Sequence, residues 1–175
     1  LVGEPLVALG FFRATFTLEV GQPCTGGEVF TFGFGPPDVI TLGSEGSTGG
    51  LSVLFVDGST VGSPQQPSEL LVFLGGSELL RLETPGWFAH GGNASIEVTH
   101  DEMGLSVWHG SQGFVVRHLA LEDWAPAADW VVALGASNEG HSCHCHCFAG
   151  RLDVAFGAHV VARAAAVEVA VNAQQ

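Results

Sequence analysis

FFRATFTLEV, residues 11–20, carries the reading on which the fold class turns. Phe12, Ala14, Phe16, Leu18 and Val20 fall on one side of an extended chain, and Arg13, Thr15, Thr17 and Glu19 on the other. This period of two marks a strand with one buried and one wet face. The same alternation, bounded by Gly and Pro, fits VFTFGF (29–34), GLSVLFV (50–56), LLVFLG (70–75), SIEVTH (95–100) and GLSVWHG (104–110). It continues in GFVVRHLAL (113–121), DWVVALGA (129–136), RLDVAF (151–156) and AAVEVAV (165–171). Short strands at this spacing predict an all-β, two-sheet antiparallel sandwich. HVVARAAAVEVAV (159–171) competes as a helix, but its Val-Glu-Val-Ala-Val end favours a strand.

The longest polar loop, GSTVGSPQQPSE (58–69), is too short to separate two domains, so residues 1–175 are expected to form one domain. GLSV occurs at 50–53 and again at 104–107, which is read as two similar strand starts rather than a repeat.

Eighteen acidic residues stand against five arginines (13, 81, 117, 151 and 163) and no lysine, a net charge of −13. Phosphate backbones and anionic membrane surfaces repel such a chain, so nucleic acid is excluded as a partner. No apolar run has the length of a membrane helix, so no membrane insertion by this segment is expected. The residues from Leu1 have no basic n-region and no cleavage-site pattern, so no targeting peptide is expected within this sequence. Absent lysine and absent glycine-rich phosphate loops remove Schiff-base and nucleotide chemistry. The triplet Asn93-Ala94-Ser95 makes Asn93 a candidate N-glycosylation site and fits extracellular residence.

Several phrases occur in an order that resembles the concanavalin A-like lectin and glucanase superfamily. They are EVFTFGF (28–34) with GGLSVLFVDGS (49–59), NASIEVTHDEMGLSVWHGS (93–111), DWAPAADWVVALGASNEG (123–140) and HCFAGRLDVAF (146–156). The resemblance implies a jelly roll with sugar or calcium bound at loops along one edge or on the concave face. It implies ligand-binding roles for Asp57, for Gly75 and Gly76, and for Ser137, Asn138 and Glu139. The superfamily's legume metal strand, Val-Glu-Phe-Asp-Thr, has no counterpart here, because SIEVTHDE carries Thr99 where an Asp is wanted.

Retaining glycoside hydrolysis needs two carboxylates about 5–5.5 Å apart. Glu97, Thr99 and Asp101 share one strand face, but residues four apart on a strand are separated by about 13 Å. Glu97 is expected to be a solvated strand residue and Asp101-Glu102 a hairpin turn, so no catalytic residue is assigned and the protein is expected not to be an enzyme. No Gly-x-Ser-x-Gly elbow or cysteine-protease signature occurs.

Sugar binding asks for an exposed aromatic face beside hydrogen-bonding groups. Trp130 is in phase with Val132 and Leu134 and belongs to the core; Trp108 is out of phase with Leu105 and Val107; Trp87 follows Pro85-Gly86 in a loop. Trp87 and Trp108 are the candidates for stacking. Asp57, followed by Gly58, also reads as an ordinary turn.

HSCHCHC (141–147) holds three of the four cysteines and three histidines. If extended, Cys143, Cys145 and Cys147 point one way and His144 and His146 the other. Three readings stay open. Cys24 joins one of the three in a disulfide; His144 and His146 form half of a zinc site, or the four thiolates a whole one; or thiols remain free. His90, His100, His109, His118 and His159 are expected at the surface or at strand ends.

Together these readings predict an extracellular carbohydrate-binding or adhesion module whose partner is a glycan or glycoprotein. Neighbouring domains of the same protein are a further partner. Calcium and zinc are the cofactors considered. A structural interaction domain without a small ligand is the alternative, and a glucanase-like hydrolase or zinc protein is the next.

Overall fold

The computed structural model describes residues 11–19, 28–39, 49–57, 68–84, 93–110, 112–127, 129–138, 148–149, 152–156, 159–164 and 167–168. These residues hold strands and no helix. The strands are β1 (Phe12–Glu19), β2 (Glu28–Gly35), β3 (Leu51–Asp57), β4 (Glu69–Leu74), β5 (Ser77–Glu83), β6 (Asn93–Asp101) and β7 (Gly104–His109). They continue as β8 (Gly113–Leu119), β9 (Val131–Asn138), β10 (Phe148–Ala149), β11 (Leu152–Phe156), β12 (His159–Ala164) and β13 (Val167–Glu168).

Two antiparallel sheets result. The first runs β12-β11-β1-β6-β7-β8, with β10 and β13 continuing its lines beyond β11 and β12; the second runs β5-β4-β3-β2-β9. β10 and β11 lie end to end along β1, where Leu18 faces Ala149 and Thr15 faces Asp153. The alternation in FRATFTLE has its expected result: Phe12, Ala14, Phe16 and Leu18 are buried while Arg13 is exposed.

The core lies between the sheets and is rich in phenylalanine. From the first sheet come Phe12, Phe16, Ile96, Val98, Leu105 and Val107; from the second come Phe30, Phe32, Phe34, Val53, Phe55 and Val72. Phe32 lies parallel to Phe12 and Phe16 at 6.0 and 6.1 Å, and Phe55 meets Phe16 edge-on at 6.2 Å. Such offset and edge geometries suit the ring quadrupole. Trp130 packs against this core, meeting Phe34 edge-on at 5.5 Å, as its phase with Val132 predicts.

The two GLSV runs fold alike in different sheets. Gly50 and Gly104 both have positive φ, the following Leu and Val enter the core, and Ser52 and Ser106 are buried on the opposite face. The shared sequence is a shared way to start a strand.

Three strands go beyond the sequence reading. β5 was hidden because adjacent Leu79 and Leu80 break the alternation, and its pairing with β4 slips between Val72 and Phe73. β12 resolves the competition over 159–171 in favour of a strand, and β10 is only two residues long. His100 and His109 stand at the ends of β6 and β7, where strand-end histidines were expected, and both are buried there. They continue the inward rows Ile96-Val98 and Leu105-Val107, and His100 sits 5.1 Å from the Trp124 ring.

Candidate functional site on the outer face of the first sheet

Register dictates what the first sheet shows on the side away from the core. Asp153, Thr15, Glu97, Trp108 and Phe114 occupy consecutive paired positions across β11, β1, β6, β7 and β8. The neighbouring row is Arg13, Thr99 and Ser106, and beyond the first row lie Thr17 and Ser95. Directly opposed residues of antiparallel strands hold their Cβ atoms about 4.5–5.5 Å apart. Trp108 and Phe114 therefore form one aromatic step beside the Glu97 carboxylate.

Each member of this step is fixed by the strand beneath it. Glu97 is held by Arg13, which reaches diagonally from β1 and donates to Oε2 through Nε at 2.9 Å and through a second contact from Nη2. The Arg13 side chain is 64% exposed and that of Glu97 only 22%, so the pair is a surface one with its acid side sheltered. Trp108 is half-buried, and Phe114 is 56% exposed. An exposed phenylalanine beside a tryptophan on a wet sheet face is informative, because isolated apolar residues are common there and adjacent large aromatics are not.

β8 is the edge strand, and it is bulged twice. Its pairing with β7 slips between Leu105 and Val107 and again between Val107 and Trp108. On a regular strand Phe114 and Arg117 would point to opposite faces. The extra residue at 115 cancels one reversal, and the Arg117 guanidinium carbon lies 5.3 Å from the centre of the Phe114 ring. The second bulge sets Arg117 and His118 opposite Ser106, with His118 in the left-handed region at φ 58°. There the His118 N–H donates to Ser106 Oγ at 3.1 Å, and Arg117 Nε donates to His118 Nε2 at 3.2 Å. Bulges at sheet edges re-aim side chains, and this pair does so with an arginine.

The outer face of the second sheet is built differently. Val29, Leu54 and Leu71 form a second apolar cluster there, backed by Val56 and Phe73, and Leu54 is fully buried. Polar groups gather at its β5 edge. Arg81 donates to Glu69 at 2.7 Å and to Glu78 at 2.8 Å, an arrangement that blunts an edge strand. Its hydrogen bond to Glu78, with a smaller Coulombic contribution, holds that carboxyl below the usual carboxylate range against the opposing effect of desolvation. The Arg81 guanidinium is shifted up in return.

The residues singled out from sequence do not converge on one place. Asp57 and Asn138 are both paired with Glu28, so they end the second sheet at the same rim, with Ser137 one residue inside. Gly75 and Gly76 lie at the opposite rim, beyond the Leu51–Leu74 pair, where Gly75 N–H donates to Gly50 O at 2.9 Å. A site combining Asp57 with Gly75-Gly76 would have to span the length of β3, about 20 Å. Both glycines have positive φ, 58° and 81°, as the two-residue hairpin between β4 and β5 requires. Asn93 opens β6. Trp87, Glu139, Cys24, Cys143, Cys145, Cys147, His144 and His146 lie outside the described residues. Among the described residues, no three His, Cys, Asp or Glu side chains are grouped to hold a metal ion.

Trp108 is the one stacking candidate that the structure places, and it stands on the outer face with Glu97 at its side. Phe114, Arg117 and the Arg13–Glu97 pair were missed by sequence reasoning. GFVVRHL carries no signal for Phe114, because its alternation puts Phe114 in phase with the buried Val116 and only the slip in pairing with β7 turns it outward.

No protein-family model matches the chain, and no curated protein matches it by sequence. Among solved structures, the chain resembles the CBM2 module of the evolved Dit of Lactobacillus casei BL23 phage J-1, with a TM-score of 0.48 and 15% identity over 71% of this chain. It spans 53% of that protein's length. It also resembles sheep galectin-11, solved as a complex with glycerol, with a TM-score of 0.42 and 14% identity over 78% of this chain and 99% of the galectin.

Proposed function

We propose that the protein is a non-catalytic carbohydrate-binding module of the concanavalin A-like kind, extracellular, acting on a glycan or glycoprotein. The observation that carries the reading is the Trp108–Phe114 step on the outer face of the first sheet, in one row with the Arg13-held Glu97. A sugar ring has one face of C–H groups and a rim of hydroxyls. The aromatic step offers the first a flat apolar partner, and Glu97, Thr15, Thr17 and Thr99 offer the second carboxylate and hydroxyl groups. Placing the groups on a sheet rather than on loops fixes their spacing before the ligand arrives, which reduces the entropy lost on binding.

A glycan array followed by calorimetry, with and without EDTA, tests this reading. Wild-type protein should bind a glycan, and Trp108→Ala should lose at least about tenfold in affinity while keeping its melting temperature within a few degrees. Absence of binding to every glycan under both conditions would reject it. The extracellular assignment goes with Asn93 glycosylation and a bridge from Cys24. Intact mass before and after deglycosylation and alkylation of protein from a secreting host tests both.

A further inference from the structure

We propose, resting on the glycan reading of this face, that the ligand is an acidic saccharide whose carboxylate or sulfate is taken by Arg117. Three observations converge. Arg13 and Arg81, the other arginines whose side chains are described, are each bound to glutamate, in a chain with 18 acids to five arginines. Arg117 has no carboxylate partner among the described residues; only its Nε is engaged, by the His118 imidazole. Its terminal amino groups therefore keep a planar fork suited to two parallel bonds with a carboxylate or sulfate. The fork lies over Phe114, in the next paired position to Trp108, so a ring stacked on the step brings a substituent within its reach.

The strand is shaped to put it there. Without the extra residue at 115 the guanidinium would fall on the core side, and His118 holds the left-handed conformation that completes the second bulge. The net charge of −13 does not oppose this locally. Charges beyond about 8–10 Å are screened at physiological salt. On this face Glu97 and Asp101 are both two strands from β8, Glu97 already paired with Arg13 and Asp101 at the end of β6, and Asp153 is four strands away, about 19 Å.

Calorimetry of the whole chain with three probes tests the proposal: tetragalacturonic acid, a chondroitin sulfate tetrasaccharide and neutral cellotetraose. At least one acidic probe should bind about tenfold more tightly than cellotetraose. Arg117→Gln should remove that advantage while leaving cellotetraose within about twofold, and Arg117→Lys should retain part of it. Trp108→Ala should weaken all probes that bind. The carboxylated and sulfated probes tell which anion the fork takes. Equal binding of neutral and acidic probes, or an acidic preference unchanged in Arg117→Gln, would overturn the proposal while leaving glycan binding intact. Failure of all three probes would overturn the proposal and count against the glycan reading itself.

Discussion

Phe32 has no exposed surface and is flanked by two parallel rings, so its truncation leaves a void that the surrounding aromatics cannot close. Phe32→Ala should cost about 3–5 kcal/mol and lower the melting temperature by roughly 10 °C, measured by calorimetry. Glu78 is a contrasting case, a surface carboxylate held by Arg81. Because its folded carboxyl titrates below its unfolded one, its stabilising contribution is present at neutral pH and fades as pH falls through the carboxylate range. Glu78→Gln should therefore melt slightly below wild type at pH 7 and together with it at pH 2; a gap that widens in acid would refute the assignment. At this scale the sequence told the two kinds of residue apart unevenly. Trp108 was legible because its phase conflicted with Leu105 and Val107. Phe114 and Arg117 were not, because their facing depends on a slip in pairing that a neighbouring strand imposes.

The elements differ in how much of their geometry is local. The β4–β5 hairpin is local: Leu74 and Ser77 pair, and the two glycines between them carry the positive φ that a tight turn needs. Nothing lies within 4 Å of a Cβ added at Gly75, so Gly75→Asn should leave stability within about 0.5 kcal/mol of wild type, whereas Gly76→Val should cost about 1–2 kcal/mol. Denaturant melts of the two variants check the contrast. Gly104 is constrained from outside as well, since at φ 118° its added Cβ would sit 2.5 Å from the Leu119 carbonyl oxygen on β8. That contact links the β6–β7 turn to the edge strand carrying Arg117, a dependence no single-strand pattern contains. β5 went unread for a related reason. An edge strand buries little, and its charges serve to stop further pairing rather than to mark a face.

Across the whole molecule the chain crosses between sheets repeatedly: β1 in the first, β2 to β5 in the second, β6 to β8 back in the first, β9 in the second, β10 to β13 in the first. The period-two pattern made the sandwich legible, because each strand states which side is buried. It could not state strand order, and so it gave no check on the resemblance that grouped Asp57 with Gly75-Gly76, which the sheet holds at opposite rims. Many of the pairings join distant parts of the chain, β1 with β11 among them, and refolding should accordingly take milliseconds or longer by stopped flow. The central expectation is that the wet face of the first sheet binds sugar through Trp108. The four tryptophans give four indole N–H signals in a ¹⁵N–¹H spectrum, and Trp108→Phe identifies one of them. Titrating a glycan that binds should move the Trp108 signal saturably and leave those of Trp124 and Trp130 almost still; a bound glycan that leaves Trp108 unmoved would contradict the account.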